Sequence, residues 1–324
     1  MRIPKTIAAS LIIIVIAISI HACSKADGPT PDPTPVVLPD TLGPGWTKKV
    51  FPGEQLSDVF FNTATNGYMP GSKLYRSSDG GISWAGITVA NPSLINAFVT
   101  NDGKAFFATA SNNIIKTLDG GVSFQQFSIS DNSSDVFFTD NSNGYSTTQS
   151  NGLFQTTDGG VTWSKVITTG LNGTPGYSSL YFANNSTGWI VTSQKILKTN
   201  GSISTWQESS VSGGTTPYGF VSVYAPSAST VFAGSNGEIF KSTDGGANFS
   251  FIKKLANSGL TDIHFFDELS GYASADKSIF KTTDGGVNWT KVASRGQGYI
   301  VEIHFTDPNH GWACGDSTLL IFKQ

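Results

Sequence analysis

Residues 281–289 read Lys-Thr-Thr-Asp-Gly-Gly-Val-Asn-Trp, and near-copies recur along the chain. They are SSDGGISW at 77–84, TLDGGVSF at 117–124, TTDGGVTW at 156–163 and STDGGANF at 242–249. The aromatic closing each copy continues in register beyond them. Trp46, Trp84, Phe124, Trp163, Trp206, Phe249 and Trp289 are spaced by 38, 40, 39, 43, 43 and 40 residues. A period of this size signals a repeat architecture.

Three more segments recur between the aromatics. The first is LSDVFF (56–61), SSDVFF (133–138), LTDIHFF (260–266) or IVEIHF (300–305). The second is NGY, TGW, SGY or HGW, and the third is LYRSS, IIKTL, IFKST or IFKTT. Each is short and rich in β-branched and aromatic residues, with turn formers between, so each unit predicts four strands. Four short strands per unit make a propeller blade. The seventh unit breaks off at TLLIFKQ, whereas GPGWTKKVF at 43–51 resembles VTWSKVI and VNWTKVA. The N-terminal strand is therefore expected to complete the last blade, giving an all-β, seven-bladed β-propeller over residues 42–324. In unit four the turn has decayed to KTNGSISTW, yet Thr199 and Trp206 keep register.

Composition agrees. The 324 residues include 36 glycines, only 13% are charged, and 20 basic residues face 23 acidic ones with no basic cluster. Nucleic-acid binding needs a positive face against the phosphates, and none is present.

The N-terminus predicts export. Arg2 and Lys5 precede an apolar run from Thr6 to Ile20, too short to span a bilayer and suited to a signal peptide over 1–22. The run ends in Ile20-His21-Ala22-Cys23, which resembles a bacterial lipoprotein signal, so Cys23 is the expected lipidation site. Ser24 after the cysteine favours passage to the outer membrane by analogy with other lipoproteins. Residues 23–41 hold five prolines and read as an extended spacer. Only Cys314 would remain beside the lipid-bearing Cys23, and its setting GWACG predicts a small buried side chain.

The aspartates Asp79, Asp119, Asp158, Asp244 and Asp284 each follow a Ser or Thr by two positions: Ser77, Thr117, Thr156, Ser242 and Thr282. A short carboxylate in a turn accepts bonds from the N–H groups just ahead, and glycine tolerates positive φ. The box predicts a structural hairpin staple with no catalytic role. A metal would need more than one carboxylate per box.

This pattern, S/T-x-D-G-G-x-x-W/F, resembles the Asp-box (BNR) repeat. The fuller unit L-x-D-V-x-F, G-Y/W, I-x-K-T-T-D-G-G-x-x-W is most similar to the photosystem II assembly and stability factor family, over residues 43–324. That resemblance implies a seven-bladed propeller that holds a membrane-protein partner. The family's arginine-rich patch is missing, since Arg76 and Arg295 are the only arginines after Arg2. The scaffold role carries over and the photosynthetic membrane does not.

Enzymes of the Asp-box type were weighed on residues. A sialidase clamps its substrate carboxylate with three arginines, and two cannot do so. Xyloglucan-active relatives use two tandem propellers around one cleft. A glycosidase needs two carboxylates across a cleft, and the expected innermost strand offers Asp58, Asn96, Asp135, Ser179, Ser222, Asp262 and Glu302 in successive units. The plainer account is that each bonds a neighbouring backbone. Two residues on lie Phe60, Phe98, Phe137, Tyr181, Tyr224, His264 and His304, on the same strand face. His264 and His304 beside two carboxylates suit a metal, or simply serve as flat rings between blades; no metal and no cofactor is expected. Arg76, Lys116, Lys198, Lys241, Lys281 and Lys323 recur three residues before the box position, read as solvated strand ends with a positive rim as the alternative.

The expected function is a non-catalytic, lipid-anchored binding scaffold or assembly factor of the cell envelope. Its partner is expected to be another envelope protein, with a glycan as the alternative, and the protein a monomer. A glycan-active hydrolase or lyase is the enzyme alternative. The expected binding surface is the acidic channel mouth (Asp58, Asp135, Asp262, Glu302, His264, His304) with Tyr177 and Tyr218. These tyrosines lie on the longest loops, Thr168 to Ser178 and Ser209 to Gly219.

Overall fold

In the computed structural model the described residues are 39–90, 94–129, 132–149, 152–171, 176–215, 218–257, 259 and 262–324, without the side chain of Tyr177. The signal peptide, Cys23 and the spacer through residue 38 lie outside them. Strands form seven sheets, each with a four-stranded antiparallel core. No helix occurs among the described residues. Blade 1 runs Phe60–Phe61, Gly67–Met69, Leu74–Ser77, Ala85–Ile87 from the channel outward.

The ring closes as the sequence predicts. Trp46–Val50 pairs antiparallel with Thr318–Lys323, from Trp46 opposite Phe322 to Val50 opposite Thr318, and so becomes the outermost strand of blade 7. Two additions were not foreseen. Thr41–Leu42 adds a fifth strand to blade 6 against Ala293 and Ser294, and Asp40 accepts from Gly296 N at 2.8 Å. Asp40 and Thr41, expected in the spacer, thus belong to the fold. Ser210–Ser212 adds a parallel fifth strand to blade 5 along Asn248–Ser250.

Burial explains the repeat. Each of seven apolar cores is shared by two neighbouring blades, as when Phe61, Met69, Trp312, Leu319 and Ile321 join blades 7 and 1. The aromatic of G-Y/W stacks on the last aromatic of the next blade's innermost strand. Phe61 on Trp312 lies 3.6 Å away at 3°, and Phe232 on Phe265 lies 3.8 Å away at 8°. The glycine of G-Y/W is required by close approach. Gly188 faces Phe182 in the ladder, and a Cβ there would meet that ring at 2.4 Å.

The Asp-Gly-Gly turns are closed by their own side chains. Thr156 Oγ1 donates to Asp158 Oδ1 at 2.8 Å and accepts from Gly160 N at 2.8 Å. Asp158 accepts from Val161 N and Thr162 N, both at 2.9 Å, while Gly159 and Gly160 hold φ of 68° and 75°. Bonds from Ser83 and Ser123 hold the equivalent Asp79 and Asp119 carboxyls down at about 2. In blade 4 the decayed turn keeps its lock, with Trp206 Nε1 donating to Ile203 O at 2.7 Å, as Trp84 Nε1 does to Gly81 O at 2.9 Å.

Four of the turns are also latches between blades. The first-glycine carbonyl accepts from the preceding blade through one of two donors. Trp312 reaches Gly80 O and Trp189 reaches Gly245 O, both through Nε1 at 3.1 Å. Where that aromatic is Phe, Nζ of a lysine takes over, Lys116 to Gly159 O at 3.1 Å and Lys241 to Gly285 O at 3.0 Å. At Lys116 and Lys241 this corrects the reading of the recurring Lys/Arg position as solvated strand ends or a positive rim. Lys116 is buried, and Lys116 and Lys241 are used inside the ring.

Candidate functional site

The innermost strands bring one polar position from each blade to the channel. Asp58, Asn96, Asp135, Ser179, Ser222, Asp262 and Glu302 line one cavity of about 410 Å³, together with His264 and His304. In four blades the N–H of the residue after this position takes a side-chain acceptor, as a buried donor must. The preceding blade supplies it. Asp58 Oδ2 accepts from Ala97 N at 2.5 Å and Asn96 Oδ1 from Val136 N at 3.2 Å. Asp135 Oδ2 accepts from Leu180 N at 2.9 Å and Asp262 Oδ2 from Ile303 N at 2.9 Å. The second oxygens are engaged too, Asp58 Oδ1 by Val59 N at 2.5 Å and Asp262 Oδ1 by Ser222 Oγ at 2.8 Å.

Two residues on, about 7 Å along the channel, the seven rings form a closed collar. Phe60–Phe98, Phe98–Phe137, Phe137–Tyr181, Tyr181–Tyr224, Tyr224–His264, His264–His304 and His304–Phe60 have centroids 4.3–5.7 Å apart. His304 Nε2 lies 2.7 Å from Phe61 O and so donates to the next blade. The collar uses imidazole as two of its seven rings.

Burial sets the protonation of this channel. Desolvation raises Asp58 to about 8 and Asp135 to about 7, raises Asp262, and raises Glu302 well above its usual range. Mutual repulsion adds to the shift, and Glu302 hydrogen-bonds Asp262. Desolvation also lowers His304 to about 4 and His264 well below its usual value, so both rings are neutral at pH 7. The mouth is therefore far closer to neutral than four acids and two histidines suggest.

The shifts give a prediction with a definite sign. Raised carboxyl pKa values mean the folded state holds protons that the unfolded chain releases, so this stabilisation is present below pH 4 and lost as pH rises toward 8. The lowered histidines act oppositely, being stabilising above 6.5 and lost as pH falls toward 4. Above about pH 7.5 the unfolded histidines are neutral as well, and there stability should fall by about 1 kcal/mol per pH unit for each carboxyl still protonated in the folded state. Asp135→Asn should lose less stability than the wild type between pH 6.5 and 8 while still folding, because Asn96 already makes the same bond to the next blade. Chemical denaturation at pH 6.5, 7.25 and 8 reads this; an unchanged slope in the variant contradicts the assignment.

The structure brings six of the predicted residues together, sets Tyr218 apart on its own blade, and opens the innermost strand of blade 4 with Tyr177. Tyr218 packs on Phe220 at 5.2 Å, and its hydroxyl donates to Gly213 O at 3.1 Å. The Tyr177 side chain, and residues 172–175 and 216–217, lie outside the described residues. What is described of the two long loops is largely pinned. Ser210–Ser212 is a strand, and Thr169 N donates to Ser204 O at 2.8 Å. The exposed apolar residues on connections into innermost strands are instead Ile167 and Tyr299, 82% and 56% exposed. Both follow the box aromatic by four residues or more, and nothing in the repeat singled them out.

Comparison with known proteins yields the fold without a family. No protein-family profile matches the chain, and a search of curated proteins finds no match. Solved structures do match. YCF48 bound to D1 peptide aligns at TM-score 0.72 and 17% identity, covering 89% of this chain and 99% of that one. Virginiamycin B lyase from Staphylococcus aureus aligns at 0.73 and 11%, covering 86% and 99%. The GH74 xyloglucanase from Xanthomonas campestris aligns at 0.68 and 12%, covering 86% of this chain but 53% of the enzyme. A peptide-bound protein, a lyase and a glycosidase share this ring, and at such identities the likeness carries the fold alone.

Proposed function

We propose that this protein is a non-catalytic, lipid-anchored scaffold of the cell envelope that holds another protein. One observation carries the non-catalytic half: the channel carboxyl groups serve the ring itself. A general acid or base must meet a substrate proton, yet both oxygens of Asp58 and of Asp262 are bonded. Asp58 accepts from the adjoining Val59 N and from Ala97 N of the next blade, and Asp262 accepts from Ser222 Oγ and Ile303 N of the flanking blades. A closed aromatic collar lies immediately below. The binding half is supported by the repeat's resemblance to the assembly-factor family and by the structural likeness to YCF48 bound to D1 peptide. The anchor rests on Ile20-His21-Ala22-Cys23. The face proposed for contact is the acidic-mouth face, with Ile167 and Tyr299 as apolar anchors.

Crosslinking and capture from detergent-solubilised envelope tests this, using the full chain and an Ile167→Ser/Tyr299→Ser variant. One partner protein should be recovered with the native chain and lost with the variant. Turnover of a glycan that disappears in Asp262→Asn or Glu302→Gln would replace this reading with an enzyme. Saturable glycan binding with no captured protein would replace it with a glycan module.

A further inference from the structure

The interface between blades 6 and 7 has no Asp-Gly-Gly turn to latch. Blade 6 presents Tyr272 and Lys281 where other blades present their aromatic and lysine, but blade 7 has no Asp-Gly-Gly turn to receive them. The chain there is Gly43-Pro44-Gly45 beside Phe322–Gln324. Lys281 is nevertheless posed like its counterparts. Its Nζ stands 5.5 Å from the Tyr272 ring centroid, against 5.8 Å for Lys116 over Phe106 and 5.1 Å for Lys241 over Phe232. Those two lysines donate to a turn carbonyl. Lys281 makes no hydrogen bond or ion pair among the described residues, nor does Lys291, nor the Tyr272 hydroxyl.

In place of the missing turn is a notch of about 450 Å³. Trp46, Tyr272 and Phe322 form its apolar part, and Lys281 and Lys291 bring two ammonium groups to it. No Asp or Glu side chain lines it. Lys323 lines it too, with its Nζ 3.5 Å from Asp79 O. An ammonium held against an aromatic face, with no acceptor, is matched by a carboxylate, whose charge-assisted bonds are about twice as strong as neutral ones. The cavity falls within the size range of small-ligand sites.

We propose that this notch docks an acidic turn of a partner protein, an Asp or Glu carboxylate flanked by small residues, which takes the place of the turn absent from blade 7. The identity of the carrier rests on the protein-binding reading above; the carboxylate site itself rests on the lysines and the empty latch. The partner would thus be gripped at the blade 6–7 seam, away from the channel.

The probe is the acetylated, amidated peptide Ser-Thr-Asp-Gly-Gly-Ala-Asn, with an Asn-for-Asp version as control. The full chain is reductively dimethylated with ¹³C at lysine, which keeps the charges, and the methyl resonances are followed during titration. The expected result is saturable shifts at Lys281 and Lys291, weakened by salt, with about tenfold weaker binding of the Asn peptide, equivalent to about 1.4 kcal/mol. By calorimetric titration, Lys281→Gln/Lys291→Gln should abolish peptide binding while leaving the melting temperature unchanged. Absence of shifts, equal binding of both peptides, or calorimetric binding that survives in the double variant would each overturn the site. A chain lacking residues 24–38 that binds when the full chain does not would assign the notch to this chain's own Asp27 or Asp32 and overturn the partner. Peptide binding without any captured envelope protein sinks the scaffold reading alone. Capture that survives Lys281→Gln/Lys291→Gln, with no peptide binding, sinks the notch alone.

Discussion

A chain that starts at Phe51 is expected to lose the single cooperative unfolding transition of the full protein and to aggregate on purification, while a chain that starts at Gly43 behaves almost as the full protein does. The difference lies in Trp46–Val50. Five ladder positions on Thr318–Lys323 disappear with that strand. So does Trp46, buried and 5.1 Å from Phe322. Loss of a buried Trp side chain alone costs about 3–5 kcal/mol, against a total stability of about 5–15 kcal/mol for a domain. The strand left bare, Thr-Leu-Leu-Ile-Phe-Lys, would be an uncovered apolar edge, which templates association. Starting at Gly43 removes only Thr41–Leu42 and the Asp40 contacts. The Asp40–Lys48 ion pair at 2.5 Å is partly exposed, and such pairs contribute about 0–1 kcal/mol. Calorimetry of the three chains decides. Equal transitions for the Phe51 and Gly43 chains would mean that ring closure does not depend on the N-terminal strand.

The fold was legible because its constraints are local and repeated. Asp, Gly and Gly answer to one turn, Phe61 and Gly67 to one ladder pair, and each constraint appears several times, so that a decayed copy such as Thr199–Trp206 is still recognised by register. The N-terminal closure was legible for the same reason, as Trp46 occupies a place in the period. What escaped was whatever depends on two blades at once. The recurring lysine looks like a solvated strand end when read along one strand. Its role emerges only beside the neighbouring aromatic, with an indole capping the turn carbonyl from Trp189 and Trp312, and an ammonium where Phe106 and Phe232 leave that place without a donor. The lysine also follows Trp189 and Trp312, as Lys198 and Lys323, so the sequence does not report which donor each turn takes until the ring fixes which turn each blade faces.

The candidate site shows the same division. Period two correctly placed Asp58, Asp135, Asp262 and Glu302 above Phe60, Phe137, His264 and His304. Their chemistry came from geometry across blades, because the bond from Asp135 runs to Leu180, 45 residues on. The tyrosines were chosen as aromatics amid Gly, Ser and Thr, a composition that does not reveal whether a ring lies flat on its own blade. Tyr218 does. Exposure at Ile167 and Tyr299 depends on how far each connection projects from the outermost strand, and residue type does not report it.

Trp312→Ala should be among the most destabilising single substitutions in the protein, and the contrast with Trp312→Phe should show why. Trp312 is fully buried, stacks on Phe61 at the interface that closes the ring, and caps the first turn through Gly80 O. Truncation to Ala leaves a cavity between blades 7 and 1 and removes the indole donor, costing about 3–5 kcal/mol. Phe keeps the stacked ring and loses mainly the hydrogen bond, a net loss of about 1 kcal/mol, raised to about 1–3 kcal/mol if the carbonyl is left dry. The carbonyl is not left bare, because Lys323 already stands with Nζ 3.5 Å from the adjacent Asp79 O, much as Lys241 serves the turn beside Phe232. Trp312→Phe should therefore sit at the low end, and adding Lys323→Met should raise its cost by more than the two single losses combined. Urea unfolding of the wild type, Trp312→Ala, Trp312→Phe, Lys323→Met and the Phe/Met double variant measures that coupling. Strict additivity would show that lysine and indole do not substitute for one another, and the latch would then be two unrelated contacts that happen to meet at one turn.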